Sequence, residues 1–195
     1  MKFTKLPENT FEELQLNAGI LLSTFTPSSA TVEDSNILGA TSGGVSFSDT
    51  PTYQDFGDDI DNCPKNTKEL KRIESRAIKI SGTFLTVNTA RAKSLIAAAD
   101  IDSVDATKIT PRDTIAAADF SDIWWVGDYS DKNGATNGGY IAIHLKNALS
   151  TGGFSIKSGD KAKGQFSFEY TAHYSITNTD AVPYEIYIKS GTAEA

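Results

Sequence analysis

The sequence predicts a mainly β fold, an antiparallel β-sandwich or partly closed barrel with one short flanking α-helix and one long loop. Three observations carry that expectation. About seven short segments alternate or concentrate apolar residues, Gly, Pro and Asn-rich turns separate them at hairpin spacing, and one stretch has helical periodicity.

The first strand is expected from Gly19 through Leu22 to Thr26, ended by Pro27-Ser28-Ser29. A second, from Ile37 to Phe47, contains Gly39, Gly43 and Gly44 and so predicts a bulge. From Ser48 to Glu69 periodicity disappears: Asp49, Pro51, Tyr53, Asp55, Phe56, Gly57, Asp58, Asp59, Asp61 and Pro64 read as a long acidic loop. Connections usually run about 4–6 residues, and longer ones are functional or disordered. Tyr53 and Phe56 favour a loop that orders against a partner, because disordered segments are poor in aromatics.

Arg76 to Val87 alternates again, with Ile78, Ile80 and Phe84 on one face and Lys79, Ser81 and Thr83 on the other. Asn88 or Thr89 then offers an N-cap, and Ala92, Leu95, Ile96 and Ala99 recur at helical spacing, which predicts a helix over about 89–100. Residues 101–121 are polar and irregular. Dense apolar character returns at Asp122-Ile123-Trp124-Trp125-Val126-Gly127, and Asp131 to Gly139 is turn chemistry suited to positive φ angles. Tyr140–Leu149, Phe154–Ile156, Gln165–Ile176 and Tyr184–Lys189 complete the strands. No internal repeat is visible, and residues 1–195 read as one domain.

Composition narrows the function. With Lys+Arg 18 against Asp+Glu 25, the net charge is -7 and the pI near 4.8. Tight nucleic-acid binding draws on Lys and Arg displacing counterions, so adhesion to DNA is not expected, whereas a surface that DNA slides past is compatible. Cys63 is the only cysteine and has no ligand cluster around it, so neither a disulfide framework nor a zinc site is expected. No apolar signal region or membrane-spanning window occurs, which suggests synthesis in the cytoplasm and no membrane partner.

Catalytic candidates are few. Nucleophilic catalysis needs a base beside Ser or Cys, and the two histidines, His144 and His173, fall on the polar faces of expected strands. Asp58-Asp59-Ile60-Asp61 has generic spacing and reads as solvated charge or subunit contact rather than a cation site. The stretch from Asp128 fails as a calcium loop, because Gly134 in the sixth position puts Tyr129 first and Tyr140 twelfth. No phosphate loop, dinucleotide fingerprint, CxxC or HExxH occurs, so no enzyme activity, metal or cofactor is expected. Trp124-Trp125 could stack sugar; one Trp on each face of a strand, against the core on one side and a helix or neighbouring subunit on the other, is the simpler reading.

Several segments together resemble the major tail-tube proteins of phages and prophages of Gram-positive bacteria. They are Gly43-Gly44-Val45-Ser46-Phe47, Tyr53-Gln54-Asp55-Phe56-Gly57-Asp58-Asp59-Ile60-Asp61, Lys79-Ile80-Ser81-Gly82-Thr83-Phe84, Ser121 through Trp124-Trp125 to Tyr129, and Lys163 through Phe166-Ser167-Phe168-Glu169-Tyr170-Thr171 to Tyr174. The likeness runs from about Leu16 to the end and is one of overall style, without a catalytic signature. It implies a β-sandwich or barrel with a flanking helix whose copies form rings, usually hexameric, stacked into a hollow tube; related folds build the inner tubes of contractile tails and type VI secretion machines.

By that analogy the chain is a homo-oligomeric virion protein that meets tape-measure and terminator proteins, while DNA passes through the lumen without specific binding. Tyr53, Asp55, Phe56, Asp58, Asp59 and Asp61 would belong to a loop or hairpin reaching the next ring or a neighbouring subunit. Glu169 and Thr171 would line the lumen or a subunit seam. The competing expectation is a β-sandwich carbohydrate-binding or adhesin module of a phage tail or baseplate, with its Trp and Tyr residues stacking sugar.

Overall fold

Half-buried alternation and turn placement produce a set of antiparallel strands with one flanking helix in the computed structural model, which describes residues 5–130 and 138–191. Along the chain these are β1 (Gln15–Leu22), β2 (Thr41–Asp55), β3 (Lys71–Phe84), α1 (Thr89–Ile96), β4 (Ala99–Ile101), β5 (Ile109–Pro111), β6 (Ser121–Tyr129), β7 (Gly139–Ser150), β8 (Ser155–Lys157), β9 (Gln165–Thr171) and β10 (Tyr184–Lys189). The first sheet runs β1-β6-β7-β10. The second runs β2-β3-β9, with β8 and the end of β7 on the far side of β9. β4 and β5 form a small separate hairpin in the stretch expected to be irregular.

One strand joins the two sheets. β7 pairs with β6 and β10 through Tyr140–Leu145, then meets β9 at Leu149 and Ser150. Between these pairings Asn147 adopts a left-handed φ of 48°, its backbone N–H donating to Asp122 Oδ1 at 3.0 Å and its side chain to the His173 carbonyl at 3.1 Å. β1 and β2 end the strand path without hydrogen-bonding to each other, so the sheet folds over as a sandwich and does not close.

Leu21, Ile78, Ile80, Phe84, Ile123, Leu145, Phe166, Phe168 and Tyr170 fill the space between the sheets. α1 lies against this core through Leu95, which is fully buried and contributes about 1.5–3 kcal/mol by that burial. The Asn88 side chain caps the helix by accepting from the Arg91 N–H at 2.8 Å. The helix is shorter than expected: Ala97 has φ 72°, and the chain leaves as β4 at Ala99 instead of continuing to Asp100.

The first sheet is covered on both faces. The expected first strand stops at Leu22 rather than Thr26, and the segment after it folds back so that Phe25 packs on Trp124 and Tyr140, with ring centroids 5.6 and 5.4 Å away. Tyr140 donates its hydroxyl to the Pro27 carbonyl at 2.7 Å. Burial on two faces explains the unbroken apolar run Ile123–Val126.

The predicted loop over 48–69 is corrected by the structure. Residues 48–55 belong to β2, which pairs with β3 from Ser48↔Lys79 to Asp55↔Lys71 with one register shift between Thr52 and Tyr53, and only 56–70 form the turn. The expected bulge is present, with Gly43 and Gly44 at φ 77° and 84° where the register shifts between Ser42 and Val45. β9 supports β3 only from Ile78 onward. Lys71–Ala77 and its partner strand therefore project as a two-stranded ribbon about 23 Å long.

Candidate functional site

Asp49 on β2 and Arg76 on β3 form an ion pair at the base of the ribbon, with side chains 13% and 23% exposed. Tyr184 of β10 donates to Asp49 Oδ2 at 2.9 Å and lays its ring 5.3 Å from Phe47. Burial, and then the Asp49 carboxylate, push the Tyr184 hydroxyl pKa up. These contacts tie the ribbon to the other sheet where it leaves the body.

Past Pro51 no described residue packs over the ribbon's core-side face to bury it. Glu74 is the extra residue where the register shifts, and beyond it Tyr53 faces Ile73; these two are 54% and 47% exposed. Lys71 Nζ sits 5.0 Å from the Tyr53 ring centroid. At the tip, Phe56 and Ile60 are 56% and 52% exposed and stand among the exposed Asp58, Asp59 and Asp61. Of the six ribbon residues singled out from sequence, Asp55 holds the turn itself: Oδ1 accepts from Gly57 N–H at 2.9 Å and Oδ2 from Asn66 N–H at 2.7 Å. Those two backbone bonds keep its carboxyl below the usual range. Cys63 is half-buried inside the tip, its Sγ 3.6 Å from Thr67 Oγ1.

Glu169 and Thr171 lie on the outer face of the second sheet. Three cross-strand rows build that face, namely Ser42-Thr83-Ser167, Ser46-Ser81-Glu169 and Ser48-Lys79-Thr171. Every member is a hydroxyl except Lys79 and Glu169, and these two pair at 2.9 Å. Thr151 Oγ1 donates to Glu169 at 3.0 Å and lies 2.8 Å from Thr171 Oγ1. Bonds from Lys79 and then Thr151 lower the Glu169 pKa.

No family model matches this chain, and no curated protein matches it.

The histidines occupy packed positions. His144 stacks on Trp124 at 3.9 Å and 7°, its Nε2 2.9 Å from Asp122 Oδ2 and its Nδ1 3.8 Å from Glu185 Oε2. Glu185 also pairs with Lys146 and accepts from Tyr187 at 2.5 Å, and these contacts lower its pKa. His173 Nδ1 is 3.3 Å from the Asn147 carbonyl, with Phe120 against its ring. Among the described residues, neither imidazole hydrogen-bonds a Ser or Cys side chain, and no cluster of His, Cys, Asp or Glu is placed to hold a metal. Trp124 is 7% exposed, covered by His144 and Phe25, and Trp125 Nε1 donates to the Ala18 carbonyl at 3.1 Å. The partner on Trp124 is the chain's own folded-back segment, where sequence reasoning placed a helix or a neighbouring subunit.

Sequence reasoning missed a cleft of about 490 Å³. Asn17, Gly19, Phe25, Val126, Asp128 and Tyr140 line it, and Asn17 donates to Asp128 Oδ2 at 2.7 Å. Its walls come from three distant segments, so no local pattern announces it. Most of the expected 131–139 turn, residues 131–137, lies outside the described residues.

Proposed function

We propose that the protein is a structural subunit that assembles with its own copies into stacked rings, hexameric as in the tail tubes its sequence resembles, forming a phage tail tube that conducts DNA. The observation that carries this reading is the ribbon. An isolated two-stranded hairpin is marginal in water, and this one adds exposed Tyr53, Phe56, Ile60 and Ile73. A segment of that kind gains stability by seating on another molecule. A contact between unlike surfaces of identical subunits closes into rings or continues as filaments.

The outer face of the second sheet supplies the bore. A seam buries apolar area, and the three rows above contain none. Their two charges neutralise each other, which leaves no free cation within those rows to hold phosphate and lets a polyanion slide. Glu169 and Thr171 are thus lumen residues in this reading, with tape-measure protein and DNA as the passengers and terminator proteins at the tube end. The particle is a virion tail assembled from subunits made in the host cytoplasm.

Replacing Thr52–Ser75 with Asn-Gly tests the reading. The ion pair Asp49–Arg76 stays, and a hairpin turn closes Pro51 onto Arg76. The expected result is a folded monomer that forms no tubes at concentrations where the intact chain does; normal tubes from the shortened chain would refute it.

A further inference from the structure

We infer that the ribbon of one copy seats on the opposite end of the second sheet of the next copy, at Phe154, Ile156 and the lysine-bearing turn over 157–163. The inference rests on self-assembly as proposed above and adds the surface that receives the ribbon.

Strand register places the two surfaces far apart on one molecule. Tyr53 faces Ile73 near one end of β3; at its other end Phe84 faces Phe166, which faces Ile156. From Ile73 to Phe84 is about 36 Å of strand, so a copy cannot cover its own ribbon. Both ends carry largely exposed apolar residues: Tyr53, Phe56, Ile60 and Ile73 at one, and at the other Phe154 at 44% and Ile156 at 59% exposure, with Phe154 meeting only the edge of the core at Phe166 among the described rings. In each case a core-side face continues past the point where the chain covers it.

Charge selects the pairing. Asp58, Asp59 and Asp61 at the ribbon tip are exposed and have no ion-pair partner among the described residues. Lys157, Lys161 and Lys163 at the other end are likewise exposed and unpaired, with Asp160 as the one acid between them. Copies with a net charge of -7 repel one another overall, so a local match of opposite sign sets which surfaces meet. Another exposed apolar strip, Ile186 and Ile188 on β10, is flanked by Glu185 and Lys146, which already pair. Both halves of the match reside on one chain, so the occupant is a second copy, placed head to tail.

Charge-reversal rescue tests this. The tip variant (Asp58→Lys, Asp59→Lys, Asp61→Lys) and the turn variant (Lys157→Glu, Lys161→Glu, Lys163→Glu) are assayed separately and in one chain by sedimentation and negative-stain microscopy, with circular dichroism reporting the fold. Each variant alone should lower the assembled fraction by at least about tenfold, and the combined chain should recover it. The tip variant lessens the general repulsion between copies, so its loss of assembly would be specific. Where a reversal prevents folding, Asp→Asn and Lys→Gln at the same positions replace it and should weaken assembly in part. Assembly of both single variants at the intact level, or no recovery in a folded combined chain, overturns the inference and leaves self-assembly standing. An intact chain that never assembles removes both.

Discussion

Asn147 sits where β7 passes from one sheet to the other, and two properties suit it to the place: it tolerates a left-handed backbone, and its amide reaches the His173 carbonyl. Asn147→Ala should lose about 2–3 kcal/mol in urea unfolding, from backbone strain and a lost hydrogen bond. Asn147→Gly should lose about 1 kcal/mol, since glycine keeps the backbone geometry; equal losses would show that the φ angle is not what matters. Asp55 has a pH signature. Its folded pKa is lowered from 3.8 by bonds to the Gly57 and Asn66 amides, so its contribution is complete above 3.8 and disappears as pH falls through the lower folded value. The Gly57 and Asn66 amide resonances should shift only below pH 3.8, and the shift should vanish in Asp55→Asn. A midpoint at or above 3.8 would contradict the geometry. Neither role is visible in sequence, because each depends on a partner brought close by folding.

At the scale of elements, legibility followed burial. β10 occupies Tyr184–Lys189 as expected, and Ile141, Ile143 and Leu145 of β7 share a face, because side chains along a strand alternate with a two-residue period. The ribbon left no such period. Beyond Pro51 neither face meets the core, so Asp, Thr, Gln and Glu occupy strand positions freely, and Pro51 is tolerated because β2 is an edge strand. Its aromatic residues carried the expectation of a partner, which belongs to the proposed assembly. In the dissociated monomer, ribbon amides at Tyr53 and Arg72 should exchange faster than those of β9, with protection appearing on assembly. Uniform protection in the monomer would mean the ribbon needs no partner.

For the whole molecule, the mainly β architecture with one flanking helix was legible from strand count and turn spacing, and the covering of both faces of the first sheet was foreshadowed by Trp124-Trp125. The polarity of the molecule was not. Acidic and basic residues are spread along the chain, and only register shows that the ribbon tip and the lysine turn end the same sheet on opposite sides. In the proposed assembly each subunit has unlike, complementary ends and a hydroxyl-rich face between them. Negative-stain electron microscopy of the concentrated intact chain tests it most directly. Hollow tubes of stacked rings are the predicted result, and a dispersed monomer at every concentration would contradict it.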